Sequence, residues 1–162
     1  MQSREELLQQ IWEAQDEAYE LMVEYDSLPH HYGNTILYQA EGEVIDLVAL
    51  HPGVTITDLG NILKKTASAC SQIVRKLRAK GFVEQIRNQS NNRLYNLTLT
   101  EEGMKIYQDH QAFTQNCREI TYQLLGDFTE EELRIHLRVQ RQLNKAYDGD
   151  VKRSRERFTR TK

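Results

Sequence analysis

The sequence predicts a mainly α fold with one small β-hairpin, and three observations carry that expectation. Apolar residues recur at helical spacing through long stretches toward both ends of the chain. Between them lie two short helical segments joined by a tight connection, and a stretch of period two follows. At 162 residues the chain is long enough to bury one core without staples, although its charged fraction, 28%, is generous.

The elements follow in order. Leu7, Leu8, Ile11, Trp12, Ala18, Tyr19, Met22 and Tyr25 repeat at helical spacing, predicting one long amphipathic helix that ends near Leu28-Pro29. A second helix runs through "EGEVIDLVALH" and stops at the breaker pair Pro52-Gly53. Thr57 is expected to cap a short helix carrying Leu59, Ile62 and Leu63. Lys64-Lys65 make a tight connection, and Thr66 caps the next helix, whose apolar face is Ala69, Cys70, Ile73, Val74 and Leu77. Gly81 suits its C-terminal end. This is a helix-turn-helix pattern.

"FVEQIR" and "RLYNLTL" then alternate as strands do, and "NQSNN" between them is built of turn-forming residues, so the three make a hairpin. Thr100 opens a long helix through "EEGMKIYQDHQAFTQNCREITYQLLGDF". Thr129 with Glu132 forms a capping box for a last helix through "EEELRIHLRVQRQLNKAYDG". The tail "VKRSRERFTRTK" is basic, almost without core-forming residues, and expected to be disordered or frayed when unbound.

A net charge of -3 hides a segregation. From Met1 to Leu63 the only Lys or Arg is Arg4, against acids that include Glu5, Glu6, Glu13, Glu17, Glu20 and Glu24. From Lys64 to Tyr95 the balance inverts: Lys64, Lys65, Arg75, Lys76, Arg78, Lys80, Arg87 and Arg93 face only Glu84. That segment is where a polyanion can be met.

Several classes are disfavoured. Cys70 and Cys117 are too few and too far apart for a disulfide framework or a cysteine zinc site, which points to a reducing compartment. The N-terminus lacks the apolar core of a signal peptide and no apolar run approaches membrane-spanning length, so a cytoplasmic location and no membrane partner are expected. No constellation of nucleophile, base and orienting group, no Gly-rich phosphate loop and no metal motif is present, so neither an enzyme, a cofactor nor a metal is expected. His30 and His31 adjoin in a loop, while His51, His110 and His136 are scattered without ligand spacing. Trp12, Tyr19, Tyr25, Tyr32 and Tyr38 read as core or interface aromatics rather than a ligand box.

The order helix, helix, helix-turn-helix, hairpin, then two long helices resembles the winged-helix regulators of the MarR (multiple antibiotic resistance regulator) family. "TDLGNIL" looks like the family's first DNA-domain helix, "TASACSQIVRKLRAKGFVEQ" like its recognition helix, and "NNRLYNLTLTEEG" like its wing and the Leu-Thr-x-x-Gly close. The likeness is specific from about Thr55 to Gly103 and looser at both ends. One departure is Asn91-Asn92-Arg93 where the family usually has Asp-x-Arg, and a second is Lys65 at a turn position that is often apolar.

The resemblance implies a single domain over residues 1–162: a winged helix-turn-helix DNA-binding part at 36–103, helical dimerisation parts at 1–35 and 104–150, and the basic tail at 151–162. On the second helix of the motif Ser68, Ser71, Gln72 and Arg75 lie away from the apolar face, where small and amide side chains permit close approach to base edges. An exposed helix commonly shows such residues; the basic flanks and the Asn-rich wing ending in Arg93 tip the balance toward nucleic acid. The expected DNA-contacting set is Lys64, Lys65, Thr66, Ser68, Ser71, Gln72, Arg75, Arg87, Asn91, Asn92 and Arg93. Dimerisation is expected through Leu8, Ile11, Trp12, Leu133, Leu137 and Leu143. The implied function is a homodimeric transcriptional regulator, a repressor, on double-stranded operator DNA, with room for a small-molecule effector of unspecified identity. The alternative is a winged-helix module that docks proteins and reads no sequence.

Overall fold

A computed structural model describes residues 2–89, 91 and 94–160. The chain divides into two units, Met1–Gln115 and Asn116–Lys162.

The first unit opens with α1 (Arg4–Ser27), started by a capping box in which Ser3 Oγ accepts from the Glu6 N–H at 3.2 Å and Glu6 Oε2 accepts from the Ser3 N–H at 2.7 Å. No residue of α1 is buried. A hairpin that the sequence reading did not anticipate follows, β1 (Pro29–Tyr32) against β2 (Thr35–Tyr38), with Tyr32 opposite Thr35. Gly33 turns it at φ +57°, a conformation an L side chain resists. His30 and His31 therefore lie on a strand, not in a loop. His30 is buried with its ring 4.3 Å from that of Tyr25, and Tyr32 meets the rings of His110 and Phe113 edge-on. Of the five aromatics read as core or interface, Tyr32 is in the core; Trp12, Tyr19, Tyr25 and Tyr38 are exposed.

α2 (Gln39–Leu50) buries Val44, Ile45 and Val48, and α3 (Ile56–Leu63) buries Leu59. The cap of α3 is Thr55, not Thr57. Thr55 Oγ1 accepts from the Asp58 N–H at 3.2 Å while Asp58 Oδ2 accepts from the Thr55 N–H at 2.9 Å. Thr57 has no acidic residue three positions on, so the reciprocal bond decides the start of the helix in favour of Thr55. α4 (Ala67–Ala79) buries Cys70, Val74 and Leu77 against α2 and α3, the face that periodicity predicts. β3 (Val83–Arg87) and β4 (Tyr95–Leu99) pair with Val83 opposite Leu99 and Arg87 opposite Tyr95. The Leu97 N–H also donates to Val54 O at 2.8 Å, fastening the hairpin to the loop before α3. Leu37, Val44, Ile45, Leu59, Cys70, Val74, Leu77, Val83, Leu97 and Ile106, the last from α5 (Glu101–Leu124), close one core. Each large aliphatic side chain buried there contributes about 1.5–3 kcal/mol.

The second unit contains the end of α5 and α6 (Glu130–Arg160). Thr129 and Glu132 form the expected capping box, with Glu132 Oε2 2.8 Å from the Thr129 nitrogen. The tail expectation is corrected: α6 continues through Val151 to Arg160. Past Gly149 the segment has neither Gly nor Pro, and ion pairs one turn apart, Lys152 to Asp148 at 2.6 Å and Arg153 to Asp150, favour the helical state. Among the described residues no helix is long and apolar enough to cross a membrane.

Candidate nucleic-acid interface

The connection between α3 and α4 depends on two backbone features. Lys64 adopts φ 55°, the left-handed conformation, and the Lys65 N–H closes the turn on Gly60 O at 3.1 Å. A Cβ on Gly60 would stand 3.0 Å from Lys65 O, so the glycine is what lets the two helices approach so tightly. Thr66 Oγ1 then accepts from the Ala69 N–H at 3.2 Å and starts α4.

Ser68, Ser71, Gln72 and Arg75 are all exposed and share the side of α4 opposite Cys70, Val74 and Leu77. Lys64, Lys65 and Thr66 are exposed at its start. Burial holds the Cys70 thiol above its ordinary range, with Lys65 opposing, which suits a packing residue and not a nucleophile. The positive segment is not uniformly available, however. The Lys80 ammonium is taken up by Glu41, and Arg78 Nη1 donates to Gln85 Oε1 at 2.7 Å, tying α4 to the base of the hairpin. Sequence reasoning had counted both among the cations.

Arg87 is exposed at the end of β3. Beyond it the Asn88 N–H donates to Leu94 O at 3.0 Å, and Asn88 Oδ1 accepts from the Asn91 N–H at 2.9 Å. Asn91 is exposed, while Asn92 and Arg93 lie outside the described residues.

Where α4, β3 and α5 meet, Thr100 makes three bonds besides the one its carbonyl accepts from the Met104 N–H at 2.9 Å. Its hydroxyl donates to Gly81 O at 2.6 Å and accepts from the Gly103 N–H at 2.9 Å, and its own N–H donates to Phe82 O at 3.1 Å. A Cβ on Gly103 would fall 1.9 Å from Phe82 O, so only glycine fits. This is the physical content of the Leu-Thr-x-x-Gly close.

These elements have counterparts among known proteins. Residues 39–93 match the model of the MarR family. Over that stretch, about a third of the chain, the sequence is similar to the MarR family. A MarR-type architecture extends further: the zinc-responsive MarR family member ZitR of Lactococcus lactis superposes with a TM-score of 0.75 at 17% identity, over 87% of this chain and 99% of ZitR. FabT of Streptococcus pneumoniae, solved in complex with DNA, does so at 0.68 and 21% identity, over 88% and 98%. In sequence, the HTH-type transcriptional regulator YybA of Bacillus subtilis (strain 168) is 26% identical over 93 residues, 56% of this chain; the match spans 60% of YybA.

The residues expected to dimerise lie on two helices. Leu8, Ile11 and Trp12 are on α1, with Trp12 55% exposed; Leu133, Leu137 and Leu143 are on α6, with Leu137 53% exposed. Three polar links were missed by sequence reasoning: Glu41 with Lys80, Asp46 with His110 at 2.8 Å, and Asp46 with Gln111 at 3.1 Å. Their partners stand 39 to 65 residues apart, so no local signal announces them. Among the described residues no cluster of His, Cys, Asp or Glu is arranged to hold a metal ion.

Proposed function

We propose that the protein is a sequence-specific DNA-binding transcriptional regulator that acts in the cytoplasm, as a homodimeric repressor on a pseudo-palindromic operator, and catalyses nothing. The observation that carries the reading is the exposed face of α4. Ser68, Ser71, Gln72 and Arg75 stand there on a helix fixed from behind by Cys70, Val74 and Leu77, with Lys64 and Lys65 at its start. A helix so presented fits the major groove, its short side chains allowing approach, its amide suited to an adenine edge and its flanking cations to phosphates. FabT, similar in fold, has been solved on DNA, which supports the same use here. The exposed apolar residues of α1 and α6 supply the material of a two-fold interface, and a dimer requires two half-sites.

Selection of bound fragments from a random double-stranded DNA pool tests this. Enrichment of a pseudo-palindrome, bound more weakly as salt rises, is the expected result. A pool with no enriched sequence, together with salt-insensitive capture of a protein, would replace the reading with a protein-docking module.

A further inference from the structure

α1 and α6 carry opposite charges in matching order. Along α1, Glu6, Glu13, Glu17, Glu20 and Glu24 follow one another at steps of seven, four, three and four residues. With 3.6 residues per turn, those steps keep the carboxylates within a stripe about 60° wide and about 27 Å long. Along α6, Arg134, Arg138, Arg141, Lys145 and Lys152 follow at steps of four, three, four and seven. Their stripe is about 60° wide and has the same length. Taken from Lys152 backwards, the cations repeat the spacing of the acids.

All of these side chains are exposed in the single chain. Arg134 reaches Glu130 and Glu131, and Lys152 reaches Asp148, each within one turn of α6. Glu17, Glu20, Glu24, Arg138, Arg141 and Lys145 have no ion-pair partner among the described residues. An apolar stripe runs beside each ladder, on the flank that an antiparallel pair turns inward, with Leu7, Ile11 and Met22 on α1 and Ile135 and Val139 on α6.

The geometry points to a second copy of this chain as the occupant: α1 of one subunit lies antiparallel along α6 of its partner, with Glu6 opposite Lys152, Glu13 opposite Lys145, Glu17 opposite Arg141, Glu20 opposite Arg138 and Glu24 opposite Arg134. The inference rests on the dimer of the proposed function and adds its register and its source of selectivity. The step four-three-four is the same in both directions, so a parallel arrangement would also pair four of the acids. It would set Glu6 opposite Asp127, which lies before α6, and leave Lys152 beyond the end of α1. Only the antiparallel arrangement uses every rung, and it places neutral Gln10 opposite Asp148 where another acid would repel. Two-fold symmetry repeats the contact. Exposed ion pairs add little affinity individually, so the apolar stripes hold the subunits while the ladders choose the partner helix: α1 against α1 or α6 against α6 would face like charges.

Sedimentation of full-length charge-reversed chains decides it. E17K/E20K alone and R138E/R141E alone are each expected to raise the dimer dissociation constant at low salt by about tenfold or more, since every reversed rung acts twice. Mixing the two variants restores dimers, now heterodimers, and the chain carrying all four changes regains its homodimer. E13K mixed with K145E likewise recovers, because only the antiparallel register makes those two positions partners. Dimers indifferent to every reversal would overturn the ladder while leaving the dimer intact; a monomeric wild type would instead remove the dimer on which it rests. Recovery in the four-substituted chain without recovery on mixing would mean that α1 and α6 pair within one chain. Unchanged dimerisation with weakened DNA binding in R138E/R141E would reassign the cations of α6 to DNA. Failure of E13K with K145E to recover would overturn the antiparallel register.

Discussion

The Lys80 ammonium lies 3.1 and 3.2 Å from the two carboxylate oxygens of Glu41, a side chain only 5% exposed, and 3.3 Å from Ile36 O. Glu41 also accepts from the Tyr38 N–H at 3.0 Å, so one carboxylate binds the start of α2, the end of α4 and, through the lysine, strand β2. Lys80 is thus spent on architecture. Replacing it with alanine leaves a buried acceptor without its cation, at a cost of about 1–3 kcal/mol, moderated because Lys80 itself is partly exposed. Urea unfolding measures that loss. The dependence of DNA affinity on salt should stay that of the wild type, and a slope reduced by a full unit would show Lys80 on a phosphate after all.

Gln72 and Arg93 are expected to fail differently. On the proposed function, Gln72→Ala removes a base-edge contact from α4 and should cost about 1–3 kcal/mol of discrimination at one operator position, with the salt slope unchanged. If Arg93 has the wing-tip role that the resemblance implies, it supplies charge in or beside the minor groove, and Arg93→Ala should lower the slope by about one unit across most sequences. Titrations at several salt concentrations separate the two. Equal slopes for wild type and Arg93→Ala would take the arginine out of the interface.

Local signals were legible in the sequence and distant ones were not. Thr66 and the Thr129–Glu132 pair could be found because a cap and its partner are three residues apart. The buried face of α4 was legible because a helix repeats every 3.6 residues whatever packs on it. Hairpin β1–β2 escaped because its strands are four residues long and include two histidines, although Tyr-Gly-Asn-Thr at its turn was a usable signal. The helical continuation after Val151 escaped for a different reason: it lacks apolar periodicity, and its ion pairs are a three- and four-residue pattern of charge. Nothing in the sequence showed that Lys80 and Arg78 would be engaged, since a cation does not announce its partner. In the site, α4 was read correctly as a helix with that exposed face, whereas Asn92 and Arg93 lie outside the described residues.

Acid should weaken the caps. Hydrogen bonds from the Thr55 hydroxyl and N–H hold the Asp58 carboxyl below its ordinary range, and Thr129 does the same for Glu132. A carboxyl whose folded pKa is depressed contributes stability that is fully present above its unfolded pKa and lost as pH falls through the folded one. Stability from these two groups is therefore constant near neutrality and declines below about pH 4. Asp58→Asn should flatten the acid limb of a plot of unfolding free energy against pH; an unaltered limb would contradict the assignment. Thr55→Ala, measured at neutral pH, should cost about 1 kcal/mol.

Gly103 tolerates no side chain. Its Cβ would stand 1.9 Å from Phe82 O, a backbone atom that cannot swing aside, so Gly103→Ala should destabilise by about 3 kcal/mol or more. Gly81→Ala is the useful contrast. Nothing lies within 4 Å of its Cβ, and the only penalty is the positive φ of 78°, about 1–2 kcal/mol. Thermal or urea unfolding should rank Gly103→Ala as the more severe, and the opposite order would show that the joint at Phe82 yields.

The three bonds of Thr100 have a mechanical meaning. Gly81 follows the end of α4, Phe82 leads into the hairpin and Gly103 lies in the first turn of α5, and a single side chain with its own N–H clasps all three. Helix and hairpin are the two prongs of one plug, and their gauge is set when the chain folds. The entropy of aligning them is spent on folding. On the proposed function, an operator must therefore present its major groove and the neighbouring minor groove at the separation the plug already has, and a duplex whose sequence resists that spacing is rejected even where every base edge is correct.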